Sequence, residues 1–74
     1  VFEDRNGRLW LGSRKALARV GPDGTVREWT LEGRDALLDG PVEFIAQAPD
    51  GTLWLSFAGA GVQRRDAASG RVLD

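Results

Sequence analysis

The chain has 74 residues, and its 10 Lys and Arg nearly balance its 11 Asp and Glu, for a formal net charge of −1. It contains no Cys and no His, which excludes a disulfide framework and an ordinary zinc site. The balanced charge argues against nucleic-acid binding, because such binders normally carry a basic excess or stripe. A single core is marginal at this length, so we expect further stability to come from more repeats or from copies of the chain.

Turn signals divide the chain into short runs of strand-like composition. The turns are Asn6-Gly7, Asp23-Gly24, Asp50-Gly51 and Ser69-Gly70, and Asn-Gly or Asp-Gly supplies the positive φ that tight hairpin turns require. In chain order, the predicted strands of a first unit are Val1–Glu3, Arg8–Ser13, Leu17–Val20 and Thr25–Leu31. Those of a second unit are Val42–Ala48, Thr52–Phe57, Gly61–Arg65 and Arg71–Leu73. Regularly spaced short strands predict an all-β fold.

The two units repeat one motif. Asn6–Leu11 (NGRLWL) returns as Asp50–Leu55 (DGTLWL), and Trp10 and Trp54 are 54 − 10 = 44 residues apart. A four-stranded antiparallel unit with a period of about 40–50 residues is typical of a β-propeller blade. The sequence therefore predicts about two four-stranded antiparallel blades of a β-propeller, which form an incomplete ring.

The predicted division of the chain follows from this repeat. Residues 1–31 form the first blade, residues 32–40 the inter-blade loop and residues 41–74 the second blade. One helical turn around Asp35–Leu38 is compatible with the loop, although it is too short for an independent helix. Comparison of the units predicts that the first strand begins about four residues before Val1 and that the last continues past Asp74. Both strands are expected to be truncated.

The aromatic residues are interpreted as packing groups rather than as binding groups. Trp10 and Trp54 lie mid-strand beside Leu at identical repeat positions, where a ring buries about 150–250 Å². We therefore expect both rings to lie between blades. Trp29, on the outermost strand of its blade, is expected to be half exposed. The phenylalanines expected in the core or in blade interfaces are Phe2, Phe44 and Phe57.

Two segments resemble ligand loops but lack what those loops require. Glu3–Gly7 has neither the alternating ligands nor the final bidentate Glu of an EF-hand, and we expect Asp4 and Asn6 to bond backbone N–H groups in the turn. Gly59–Gly61 lacks the following helix or Lys of a nucleotide-binding loop. We expect no metal and no cofactor. Without His, Cys or Tyr, and with no base beside any Ser, an activated nucleophile is not expected either.

Candidate ligand-binding residues lie in the loops. In propellers, the turns between the second and third strands of each blade share one face with the connections between blades, and recognition residues concentrate on such loops. Arg14 and Lys15 lie in the predicted turn between the second and third strands of the first blade. Arg34 and Asp35 lie in the predicted connection between the two blades. The competing interpretation is an ordinary solvated surface, because charged loop residues are usually exposed.

The repeat also resembles a known family. Glu3–Ser13 with Ala16–Arg19 resembles the two-component regulator propeller repeat, which reads approximately Glu-Asp, two variable residues, Gly, any residue, Leu-Trp-Ile-Gly-Thr, then Gly-Leu and Arg. Pro49–Ser56 with Gly59–Arg64 is similar. The chain departs from this repeat at Ala16, where Gly is expected, and at Phe57, where Thr is preferred. The pattern Asp-Gly-x-Leu-Trp also occurs in virginiamycin B lyase-like propellers.

The resemblance implies a non-catalytic module in the periplasmic or otherwise extracytoplasmic ligand-sensing region of a bacterial two-component sensor, with a carbohydrate-type ligand. Two alternatives stay open. One is a fragment of a virginiamycin B lyase-like enzyme, whose catalytic His and metal would come from elsewhere. The other is a propeller scaffold that assembles by oligomerisation without a ligand. The expected partners are further blades of a parent chain or identical copies in a homo-oligomer, with no nucleic acid and no membrane contact from this segment.

Overall fold

The computed structural model describes residues 1–33 and 35–73, which form two antiparallel sheets. The first sheet contains β1 (Phe2–Glu3), β2 (Leu9–Gly12), β3 (Ala16–Val20) and β4 (Val26–Thr30) in that order, and the second contains β5 (Val42–Gln47), β6 (Thr52–Phe57) and β7 (Gly61–Asp66). Each strand pairs with its neighbour in sequence. The predicted all-β fold of incomplete propeller blades is confirmed.

The sequence repeat is also a structural repeat at the first turn of each unit. Asp4 N donates to Arg8 O at 2.9 Å, and Ala48 N donates to Thr52 O at 2.8 Å. The glycines that follow the Asn or Asp of each turn have positive φ, 81° for Gly7 and 95° for Gly51. Equivalent turns start β2 and β6 in the same way, so the two Gly-x-Leu-Trp-Leu segments occupy equivalent strands.

Two predicted elements differ from the structure. The last predicted strand, Arg71–Leu73, is reduced to a single bridge between Val72 and Arg65, with Leu73 N donating to Arg64 O at 2.8 Å. The helical turn predicted at residues 35–38 does not form in the described part of that loop. There the Leu37 amide donates to Thr30 O at 2.8 Å, so the loop bonds to the end of β4 instead of to itself.

The core lies between the two sheets. Strand alternation gives each sheet an inner face, directed at the other sheet, and an outer face directed away from it. The buried apolar residues are Trp10, Leu17, Trp29, Leu37, Leu53, Leu55, Phe57 and Ala67. The two sheets are in contact where β2 meets β5. A Cβ at Gly12 would lie 2.6 Å from the Val42 Cβ, so the absence of a side chain at Gly12 permits this approach.

The burial of the tryptophans follows the faces of the sheets. Trp10 is fully buried, as predicted, whereas Trp54 is 43% exposed, so its predicted burial is wrong in this structure. Trp54 lies on the outer face of its sheet, beneath the Arg64 guanidinium at 5.4 Å. The half-exposed position predicted for Trp29 is also wrong, because its ring stacks on Trp10 with 5.7 Å between centroids and is only 8% exposed.

The burial of the three phenylalanines also follows the faces of the sheets. Phe57 is 2% exposed and belongs to the core, as predicted. Phe2 is partly buried and packs against that core. Phe44 is 73% exposed, because it pairs with Ser56, which lies on the same outer face of β6 as Trp54. Contrary to the prediction, Phe44 therefore lies neither in the core nor in the interface between the two described sheets.

Candidate functional site

The loops predicted to carry the ligand site meet at one end of the two sheets, which we call the loop end. They are the β2–β3 turn, the connection between the sheets and the β6–β7 turn. Val42 N donates to Ser13 O at 3.3 Å, and Ala58 N donates to Pro41 O at 2.9 Å. These two hydrogen bonds join all three loops into one surface.

An open depression of about 470 Å³ lies in this surface, lined by Lys15, Thr30, Leu31 and Glu32. The β3–β4 register pairs Ala16 with Thr30, which brings the β2–β3 turn beside the end of β4. The depression is therefore lined by one cationic residue, one anionic residue and one apolar residue, together with Thr30, whose hydroxyl donates to Glu32 O and accepts from Glu32 N. Such a set can both donate and accept hydrogen bonds, as a polyhydroxylated ligand requires.

Not all of the residues predicted to bind a ligand line the depression. Lys15 is exposed and lines the depression, and Arg14 is exposed in the same turn. Arg34 lies outside the described residues. Asp35 is half-buried and is directed at the second sheet, because its carboxylate accepts a hydrogen bond from Val72 N at 3.1 Å. Of the described candidates, only Lys15 lines the depression.

A buried arginine fixes the connection between the sheets. Arg65 is fully buried, and its guanidinium donates to Asp35 O at 2.6 Å, to Gly70 O at 2.7 Å and to Gln63 Oε1 at 3.0 Å. Gln63 Nε2 in turn donates to Ala36 O at 3.0 Å. Burial lowers the pKa of Arg65, and the nearby Asp35 carboxylate partly opposes this. Two side chains of β7 thus hold the loop that leads to the depression.

A second polar cluster lies at the opposite end, around Asp4. Its carboxylate accepts hydrogen bonds from Asn6 N at 2.9 Å, Arg8 N at 3.0 Å, Arg8 Nε at 2.8 Å and Trp10 Nε1 at 2.9 Å. The predicted bonding of Asp4 to the turn is confirmed, and the indole contact extends it into the core. Burial raises the pKa of Asp4, but the bonds from Trp10, Arg8 and Asn6 outweigh burial and lower the pKa to about 2.

This cluster predicts an acid-labile contribution to stability. The pKa of Asp4 falls from 3.8 to about 2 on folding, which corresponds to about 2 kcal/mol of stability. Because the folded-state pKa is the lower one, this stability is present above pH 3.8 and is lost as the pH falls toward 2. In urea denaturation between pH 6 and pH 2, the stability advantage of the wild type over Asp4→Asn should shrink across that window. Asp39→Asn, at an exposed loop position, serves as the control, and a pH-independent advantage over Asp4→Asn would contradict the assignment.

Three arginines of the first sheet and its first turn bind the backbone of the second unit. Arg5 donates to Pro49 O at 2.9 Å and Ala48 O at 2.7 Å, Arg19 to Ala67 O at 3.0 Å and Ala68 O at 2.7 Å, and Arg27 to Ser69 O at 3.3 Å. The Arg19 guanidinium also lies 5.6 Å from the Trp10 ring and 5.7 Å from the Trp29 ring. Arginine therefore joins the two units through hydrogen bonds, whereas the cation–π contacts of Arg19 lie within the first unit.

Sequence reasoning missed two parts of this arrangement. Thr30 lies near the end of the predicted outermost strand and Glu32 follows that strand directly, and a hairpin register drawn from Ala16 would have placed both beside Lys15. Gln63 and Arg65 carried no comparable signal, because two polar residues in alternation on a strand usually indicate a solvated face.

No group of three or more metal-ligating side chains that could hold an ion occurs within residues 1–33 and 35–73. Over the same described ranges, no helix is long and apolar enough to cross a membrane.

Comparison with known families adds one observation. Residues 1–15 match the family model described as the two component regulator propeller. The matched segment contains β1, β2 and the Asp4–Arg8–Trp10 cluster. No curated protein and no solved structure matches the chain.

Proposed function

We propose that this chain is a non-catalytic propeller module in the extracytoplasmic, ligand-sensing region of a bacterial two-component sensor. The match of residues 1–15 to the two component regulator propeller carries the proposal. Two antiparallel sheets packed face to face, each equivalent to a blade, support it. The proposed periplasmic location follows from the role of sensor and rests on the same match.

The loop end is the proposed ligand surface. Its depression is lined by one cationic, one anionic and one hydroxyl side chain, so its donors and acceptors suit a neutral polyhydroxylated molecule better than a strongly charged one. Leu31 provides an apolar wall for the C–H face of a sugar ring. A carbohydrate-type ligand is therefore the proposed class.

Titration with neutral oligosaccharides, followed by amide chemical shifts, tests this proposal. We expect the shifts to concentrate at Lys15, Thr30, Leu31 and Glu32. Lys15→Ala should weaken binding about fivefold, which corresponds to the loss of one hydrogen bond of ~1 kcal/mol. Asn6→Ala, an exposed change at the opposite end, should leave binding unchanged.

The outcomes separate the proposal from its alternatives. Shifts concentrated away from the loop end would contradict the ligand surface. A folded protein that binds none of the oligosaccharides would instead favour a scaffold without a ligand.

A further inference from the structure

The interface inside the chain joins two different surfaces. The inner face of the first sheet contributes Trp10 with Arg19 beside it, and the inner face of the second contributes Leu53 and Leu55. Trp10, Leu53 and Leu55 are all fully buried. The chain therefore already contains one complete contact between a tryptophan–arginine face and a leucine face.

The outer face of the second sheet repeats the tryptophan–arginine face. Trp54 is the repeat equivalent of Trp10, and the strand register places Arg64 opposite Trp54 as it places Arg19 opposite Trp10. The guanidinium-to-ring distances are also alike, 5.4 Å for Arg64 and 5.6 Å for Arg19. Further exposed apolar residues on this face are Phe44 at 73% and Val62 at 58%.

The outer face of the first sheet repeats the leucine face. Leu9 and Leu11 are the repeat equivalents of Leu53 and Leu55, but they are 39% and 40% exposed. In the strand register, Val20 lies opposite Leu9 and pairs on its other side with Val26, which is 59% exposed. The face is therefore mainly apolar. The tryptophan–arginine pair and the leucine pair of the internal contact recur on the two outer faces, with Val20 and Ala18 opposite the leucines where the internal contact has Arg65 and Gln63.

We propose that the outer face of the second sheet of one copy packs on the outer face of the first sheet of a second copy, in the arrangement that joins the two sheets within the chain. The charged residues are compatible with this pairing. The outer face of the second sheet has Arg64 and Asp66, whose carboxylate accepts hydrogen bonds from Ser69, and the outer face of the first sheet has Glu3 and Glu28. The contact is head-to-tail, and such contacts propagate until a ring closes. Because the described residues of each copy supply two blades, about three or four copies of this segment would complete a propeller of about six or eight blades.

Two variants, each of which blocks one of the two outer faces, test which faces pair with each other. Trp54→Glu blocks the outer face of the second sheet and Leu11→Glu that of the first, and both sites are solvent-accessible, which limits the cost to folding. By light scattering after size exclusion, we expect the wild type at about three or four times the 8.0 kDa chain mass. Each variant alone should be a monomer, whereas their mixture should form a 1:1 dimer through the one intact pair of faces. Ala60→Glu, an exposed turn change, should leave the wild-type mass unchanged.

A second pair of variants covers the case in which either substitution unfolds the chain. Phe44→Glu and Val26→Glu lie at more exposed positions of the same two faces and should reproduce the pattern. A folded wild-type monomer at high micromolar concentration would overturn the proposal. So would a mixture that stays monomeric, or Leu11→Glu alone forming dimers, since a face that pairs with itself would give that result.

Discussion

Arg65→Met is expected to lower the free energy of unfolding by about 3 kcal/mol, because it leaves several buried acceptors without a donor, each at a cost of about 1–3 kcal/mol. The fully buried guanidinium supplies hydrogen bonds to Asp35 O, Gly70 O and Gln63 Oε1. Methionine fills a similar volume but donates none of them. Urea denaturation followed by tryptophan fluorescence measures the change, at one protein concentration because association raises apparent stability.

Arg71→Met is the matched control, since Arg71 is exposed six residues away on the same segment. It should change stability by no more than about 0.5 kcal/mol. Equal losses in the two variants would mean that the buried guanidinium does not anchor the connection between the sheets.

Gly70→Ala should destabilise the protein by about 3 kcal/mol, the sum of left-handed backbone strain and overpacking. Gly70 has a φ of 78°, and a Cβ there would overlap the Cζ2 and Cη2 atoms of Trp29. The ring cannot retreat, because its other neighbour is Trp10 in the stacked pair. Thermal or urea unfolding of the variant measures the effect.

Gly24→Ala separates the two causes. Gly24 has a similar φ of 89°, but a Cβ at that position has open space around it. Its substitution should cost only the backbone strain, about 1–2 kcal/mol. If both glycine variants lost the same stability, the contact of Gly70 with Trp29 would contribute nothing.

The strand pattern of this protein was readable from its sequence for a simple reason. Turn glycines with positive φ, such as Gly7 and Gly51, sit where Asn-Gly and Asp-Gly indicate hairpins. The repeat then placed the remaining strands, because Trp10 and Trp54 occupy equivalent registers. Local turn chemistry and periodicity were sufficient for the fold class.

Burial was less predictable, because it depends on which face meets another sheet. Trp10 and Trp54 share one motif, yet one is fully buried and the other 43% exposed. Trp29 is covered by residues that follow it by about 40 positions, as its contact with Gly70 shows. Likewise, no local signal indicates that the Asp35 carboxylate accepts a hydrogen bond from Val72 N while Lys15 lines the depression. Long-range contacts decided these positions.

The arginine contacts between the units place unequal demands on the two partners. Arg5, Arg19 and Arg27 bind through their side chains, whereas every acceptor they reach across the interface by guanidinium is a backbone carbonyl. A carbonyl is present whatever side chain a residue carries. Keeping these contacts therefore requires the arginine side chains on the donor side. On the acceptor side it requires only that the backbone follows the same path. Replacing the exposed Ala68 therefore keeps the acceptor carbonyl, whereas replacing Arg19 removes the donor.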